Sequence, residues 1–145
     1  MSLQSLFSSL LVIETATILA GPSVGMFLAE LGATVIKVED KNRGGDTTRS
    51  WKLKTEDQDN DICAYFASIN WGKHSIALNL RNPTDKKILN DLLDKADIWL
   101  QNFRPAQQAK LGLTFEELSA RNPKLIVGQV LAFQAGDPRP GFDAA

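Results

Sequence analysis

Residues 10–39 read LLVIETATILAGPSVGMFLAELGATVIKVE, and this stretch decides the fold. Leu10–Ile13 is a short apolar run closed by Glu14, and Ala33–Val38 is a second, β-branched one, the pattern of strands buried on both faces. Between them Pro22 and Ser23 start a helix, Met26, Phe27, Leu28 and Leu31 are expected to form its apolar face, and Gly32 stops it. The unit is a strand, a crossover helix and a parallel strand.

The rest of the chain repeats that alternation. An alternating strand, HSIALNL, spans 74–80. Asn82 then caps a helix with Pro83 at its first position and Ile88, Leu89, Leu92, Leu93 and Ala96 on one face. The strand DIWLQNF (97–103) follows, and Thr114 and Glu117 form a capping box for the helix FEELSAR (115–121), which ends at Asn122-Pro123. A fifth strand, Leu125–Leu131, leads into a closing Gly- and Pro-rich loop. The expected fold class is therefore α/β: an open, mostly parallel, Rossmann-like sheet with flanking helices, incomplete in this chain. Ligands of such sheets gather at the carboxyl ends of the strands, which directs attention to residues 14–22, 39–50, 79–82, 101–105 and 132–143.

Composition restricts the function. The 145 residues carry 16 basic and 17 acidic side chains, so nothing global points to nucleic acid or a membrane surface. No apolar run approaches the roughly 18 residues of a spanning helix. The lone Cys63 and lone His74 exclude an internal disulfide, a cysteine metal cluster and a histidine cluster, and a cytoplasmic location is expected.

Several loops carry candidate chemistry. ETATILAGPSVG lacks the G-x-G-x-x-G spacing of a dinucleotide fingerprint, although Glu39 stands where a ribose-binding acid would; a tight strand-to-helix turn explains Ala20-Gly21-Pro22 as well. Residues 40–62 form a long, charged segment without periodicity, either a binding loop or a disordered one. Within it Gly44–Arg49 offers backbone N–H groups and a guanidinium to an anion. Lys73, Arg81, Arg104 and Lys110 lie near strand ends, where phosphates bind, though surface cations are common. Trp51 and Trp71 are candidates for stacking on adenine, whereas Trp99 reads as core. Cys63 and His74 are a conceivable nucleophile and base, but Cys63 is more simply a buried apolar residue. Asp137 and Asp143 are either general bases or turn formers.

In order along the chain, LAGPSVGMFLAELGATVIKVE (19–39), GGDTTRSW (44–51), YF with N-x-GK-x-S-x-x-L-x-L (65–80), QNFRP (101–105), KLGL (110–113), NPKLI (122–126) and PGFD (140–143) resemble the amino-terminal part of class III CoA-transferases, the CaiB/BaiF family. The likeness runs from about residue 8 onward. It implies that residues 1–145 correspond to the amino-terminal part of the large CoA-binding domain, with the rest of that domain and a small domain in later sequence.

The resemblance further implies an enzyme that moves coenzyme A from an acyl-CoA to a free carboxylic acid. In that family an aspartate carboxylate attacks the thioester carbonyl, giving a mixed anhydride and CoA thiolate. Its partners would be acyl-CoA, a carboxylic acid and a second copy in an interlocked homodimer, with CoA as substrate and no metal. By position the CoA contacts fall on Thr17, Leu19, Ala20, Asp40, Leu78, Asn79, Arg81, Asn102, Phe103, Arg104 and Lys110. An aspartate at position 40 repels phosphate where an arginine would pair with it, and Ala132-Phe133-Gln134 replaces the family's G-F-G turn. The catalytic aspartate is expected beyond the PGFD motif, so that Asp143 matches the motif and not the nucleophile, and the isolated segment is expected to be inactive. Phe142 stands where the racemase branch has a histidine, and it cannot move a proton. Two alternatives remain: a Rossmann-like NAD-binding module of an oxidoreductase, and a non-catalytic α/β interaction module that pairs through exposed strand edges.

Overall fold

The computed structural model describes residues 5–133 and Asp137. Five strands, β1 (Leu11–Glu14), β2 (Thr34–Asp40), β3 (His74–Leu78), β4 (Ile98–Gln101) and β5 (Ile126–Gln129), form one sheet in the order β3-β2-β1-β4-β5. Every pairing is parallel, with Ile13 beside Ile36 and Trp99, and Asp40 beside Leu78. The expected open α/β sheet is thus present. Chain order reverses direction at β1, whose neighbours are β2 on one side and β4 on the other.

Among the described residues five α-helices cover the sheet: α1 (Ala20–Glu30), α2 (Ala64–Asn70), α3 (Pro83–Leu93), α4 (Pro105–Leu111) and α5 (Phe115–Arg121). Because alternate side chains of a strand face opposite ways, the sheet builds two apolar layers. Ile13, Val38, Leu78 and Trp99 pack with Leu89 and Leu93 of α3 and Leu118 of α5, whereas Val12, Val35 and Leu100 pack with Leu28 and Ala29 of α1. Trp99 is fully buried and its indole N–H donates to Thr15 Oγ1 at 3.0 Å, so the large ring enters the core with its polar atom satisfied.

Local chemistry explains the helix ends. Asn82 Oδ1 accepts from the Thr84 and Asp85 N–H groups at the start of α3, and Thr114 and Glu117 form the expected reciprocal capping box on α5. Pro105 opens α4 and Gly112, at φ +60°, closes it. Cys63 is buried; its sulfur accepts from Phe66 N–H as the cap of α2, and its thiol donates to Thr48 O.

The buried face of α1 differs from the expected one. Phe27 is 57% exposed and the helix instead buries Gly21, Pro22 and Gly25. The physical reason lies beneath the helix, where the sheet presents a carboxylate, Glu14, and a smooth helix surface is needed to approach it. A Cβ on Gly25 would overlap Glu14 Oε2.

Candidate functional site

The topology places the candidate crevice at the carboxyl ends of the paired strands β1 and β4, where their outgoing loops part to opposite faces of the sheet. The chain leaves β1 toward α1 on one face and leaves β4 toward α4, whose Leu111 packs with the layer on the other face. Such a parting of adjacent loops opens a cleft at the carboxyl edge of a parallel sheet. Asn102 bridges it: its Oδ1 accepts from Thr17 N–H at 3.2 Å and its Nδ2 donates to Thr17 O at 3.3 Å, across 85 residues of sequence. Gln101, buried at the end of β4, accepts from Phe103 N–H at 2.7 Å and so fixes the first bend of the loop.

The residues expected from sequence occupy this edge in sequence-distant loops. Thr17 precedes α1, Leu19 is its N-cap and Ala20 its first residue, and no side chain caps that end. Asp40 ends β2, is exposed, and caps a short 3-10 turn through a bond from Asn42 N–H, with Arg43 at 3.6 Å. Arg43 thereby partly offsets the charge of the Asp40 carboxylate. Leu78 ends β3 with its side chain buried in the core, which leaves only its backbone to meet a ligand. Asn79 Oδ1 accepts from Arg81 N–H at 3.1 Å, and the Arg81 side chain extends from an exposed turn. Phe103 lies edge-on to Trp99, with ring centroids 6.2 Å apart, so its ring is largely structural. Arg104, the exposed N-cap of α4, stands at the crevice, while Lys110 lies in the last turn of that helix, about 9 Å further along its axis.

Other expectations are corrected. Glu39 is not a ribose-binding acid: its carboxylate receives Arg49 Nε and Nη2, each at 2.7 Å, the Asp46 N–H at 2.8 Å, and the Ser75 hydroxyl. Burial works to raise its pKa, but these donors outweigh it and bring the group down to about 2. Arg49 is likewise engaged, with its guanidinium carbon 3.8 Å from the centre of the Phe66 ring, so it does not serve as an anion receptor. Segment 40–62 is accordingly no featureless solvated loop, since Asp46 and Thr48 are buried.

Lys73 is also removed from the list of phosphate ligands. Its ammonium donates to Glu14, to Pro22 O at 2.7 Å and to Asn70 Oδ1 at 2.9 Å. Lys37, fully buried beside it, contacts Glu14 at 3.0 Å and Asp46 at 2.9 Å. Two carboxylates and two ammonium groups thus form a neutral cluster beneath α1. Burial pushes Lys73 down to about 8 against the opposing field of Glu14. Sequence reading misses this cluster because its members come from β1, β2, the 40–62 segment and the start of β3, with no local pattern linking them. His74 and Cys63 are not paired as base and nucleophile: His74 starts β3, whereas the buried Cys63 sulfur is taken up by Thr48 O and the Phe66 N–H at the start of α2. Asp143, Phe142 and Gln134 lie outside the described residues. Among the described residues no cluster of metal-binding side chains occurs, and no helix is long and apolar enough to cross a membrane.

Comparison with known proteins agrees with the parallel α/β fold. The family model for CoA-transferase family III matches residues 7–145. The chain is 40% identical over 138 residues to succinate–glutarate CoA-transferase of Agrobacterium fabrum, covering 93% of this chain and 34% of that protein. It is 38% identical to acetyl-CoA:oxalate CoA-transferase of Acetobacter aceti, with 95% of this chain and 34% of the relative covered. A solved CaiB/BaiF family protein from Brucella suis superposes with a TM-score of 0.80 at 38% identity, covering 92% of this chain and 35% of that one. The chain belongs to the class III CoA-transferase family, CaiB/BaiF. It spans about a third of the length of the curated relatives it matches.

Proposed function

We propose that this chain is the amino-terminal part of the large CoA-binding domain of an acyl-CoA:carboxylate CoA-transferase, and that its carboxyl edge holds the nucleotide half of CoA. Support comes from one observation above all: the loops bearing the family's motifs, after β1 and β4, meet at the crevice and are hydrogen-bonded to each other through Thr17 and Asn102. Backbone N–H groups of Leu19 and Ala20 at the uncapped start of α1 suit a phosphate oxygen, because the helix end carries partial positive charge. Arg81 and Arg104 add charge-assisted donors, and Lys110 reaches a more distant phosphate. Asp40, Leu78, Asn79 and Phe103 frame the adenosine with backbone and side-chain surface.

In this reading residues 5–133 bind and orient CoA and supply none of the covalent chemistry. The thioester exchange belongs to an aspartate carboxylate beyond PGFD, which takes the acyl group and releases CoA thiolate before the acceptor acid is loaded. The relatives' names supply the class of substrates, CoA thioesters and carboxylates, and leave the particular acid open. A homodimer in the cytoplasm is part of the same proposal.

The alternative of NAD binding loses its ribose acid, since Glu39 is saturated by Arg49, Ser75 and Asp46. Isothermal titration of the complete gene product with CoA, and separately with NAD, tests the proposal. Saturable binding of CoA with none of NAD is expected; NAD binding without CoA binding would overturn it.

A further inference from the structure

Ile18 is the one non-glycine residue with positive φ among the described residues, at +74°. A β-branched side chain in the left-handed region is a genuine outlier, and such strain persists only where surrounding contacts over-determine it. Two contacts do so here. On one side Asn102 takes both the N–H and the C=O of Thr17. On the other, Asp46 Oδ2 accepts the Ile18 N–H at 3.3 Å.

Asp46 is itself rigidly held. Its Oδ2 also pairs with Lys37 at 2.9 Å, its Oδ1 accepts the Thr48 N–H at 3.0 Å and the Thr48 hydroxyl at 2.9 Å, and its own N–H donates to Glu39. The carboxylate is buried, and its two oxygens divide their donors between the first loop and Lys37 on one side and the 40–62 segment on the other. We propose that Asp46 is a positioning residue: with Asn102 it clamps the first loop in a left-handed turn at Ile18, so that the backbone of Thr17–Ala20 is set for its ligand before the ligand arrives. This inference rests on the CoA reading given above.

The clamp has a measurable consequence. If the loop relaxes to negative φ at residue 18, only a fraction of molecules stays competent, and the apparent dissociation constant rises by the inverse of that fraction. In Asp46→Asn one acceptor becomes a donor: with the NH2 toward Ile18 and Lys37 the bond to the Ile18 N–H is lost outright, and with it toward Thr48 the carboxamide loses the two bonds that hold it rigidly beneath Ile18, so the clamp is weakened in either orientation while the shape is kept. Loss of about ten-fold in CoA affinity is expected, the scale of the left-handed penalty at a non-glycine residue.

The test titrates CoA into the complete gene product carrying Asp46→Asn, and into that variant combined with either Ile18→Gly or Ile18→Ala. Both replacements remove the same bulk, but only glycine accepts positive φ without penalty. The glycine double variant should recover affinity toward wild type and bind CoA about ten-fold more tightly than the alanine double variant. A purely structural role for Asp46 would lower Tm and leave no such difference in affinity; equal affinities of the two double variants would overturn the inference.

The single variants decide the point even where Asp46→Asn does not fold. Ile18→Gly should have a higher Tm than Ile18→Ala, and the opposite order would overturn the clamp. A wild-type protein that binds no CoA would overturn the CoA reading and this inference together, whereas wild-type binding that Asp46→Asn leaves unaltered would overturn the inference alone.

Discussion

Replacing Gly25 by alanine sets two effects against each other. Glycine inside a helix is ordinarily the weaker choice, and alanine there gains about 1 kcal/mol. At this position, however, the added Cβ would overlap Glu14 Oε2, lie 3.0 Å from Glu14 Cδ and come within 3.4 Å of Lys73 Cε. A carboxylate tip usually swings aside at little cost. Glu14 has nowhere to go: it is fully buried and held between Lys37 and Lys73 at 3.0 and 2.9 Å. Moving it breaks up a buried ion cluster, for which removal of one partner typically costs about 3–5 kcal/mol. The net expectation is a loss of about 2–4 kcal/mol, opposite in sign to helix propensity. Urea denaturation of Gly25→Ala followed by circular dichroism measures it. A double-mutant cycle with Glu14→Ala isolates the contact, since alanine at 14 leaves room for the new methyl group. A Gly25→Ala protein that is more stable than wild type, or a coupling energy near zero, would refute the argument that α1 sits directly on this carboxylate.

Glu39 gives a prediction in pH. Its folded pKa of about 2 lies below the ordinary 4.5, so its stabilising contribution is fully present above pH 4.5 and is lost as pH falls through 2. The size is about 3 kcal/mol, and Glu39→Gln should flatten acid unfolding over that range; an unchanged acid profile in the variant would remove Glu39 as its source. At the proposed CoA edge, Arg81→Ala and Arg104→Ala should each weaken CoA binding by about 1–3 kcal/mol, read by titration calorimetry, and an unaltered affinity would exclude that residue from the phosphate contacts.

Much of the fold is legible because its signals are local. The apolar runs ending at Glu14 and Val38, the Asn82-Pro83 helix start and the Thr114–Glu117 box each depend on neighbours in sequence, and each recurs in the structure. α2 and α4 are harder to read, since seven residues make less than two turns and show little periodicity. For α4 the Pro105 and Gly112 pair is nevertheless a usable signal; for α2 the cap is a cysteine sulfur, which no ordinary capping preference indicates. The face of α1 is misread for a different reason. Hydrophobicity favours burying Phe27, but the close approach of the helix to Ala16 and to the Glu14 carboxylate selects Gly21 and Gly25 for the buried face instead.

The candidate site divides in the same way. Its residues are named by motif resemblance, and strand ends explain why they share an edge. The anchors behind them, Asp46, Gln101 and the Lys37–Glu14–Lys73 cluster, depend on contacts between distant segments. The only local hint of Asp46 is its place after two glycines, both with positive φ in the structure. Gly45 permits a close approach that a side chain would block, because a Cβ there would lie 2.6 Å from Glu39 Oε2.

The most direct measurement is a crystal structure of the complete gene product with CoA bound. The account predicts CoA along the carboxyl edge of the sheet, with its phosphates against Thr17–Ala20 and Asn102–Arg104 and within reach of Arg81 and Lys110. CoA bound elsewhere would contradict it, for instance in the cavity of about 370 Å³ lined by Arg49, Phe66, Trp71, Lys73 and Ser75 at the start of β3.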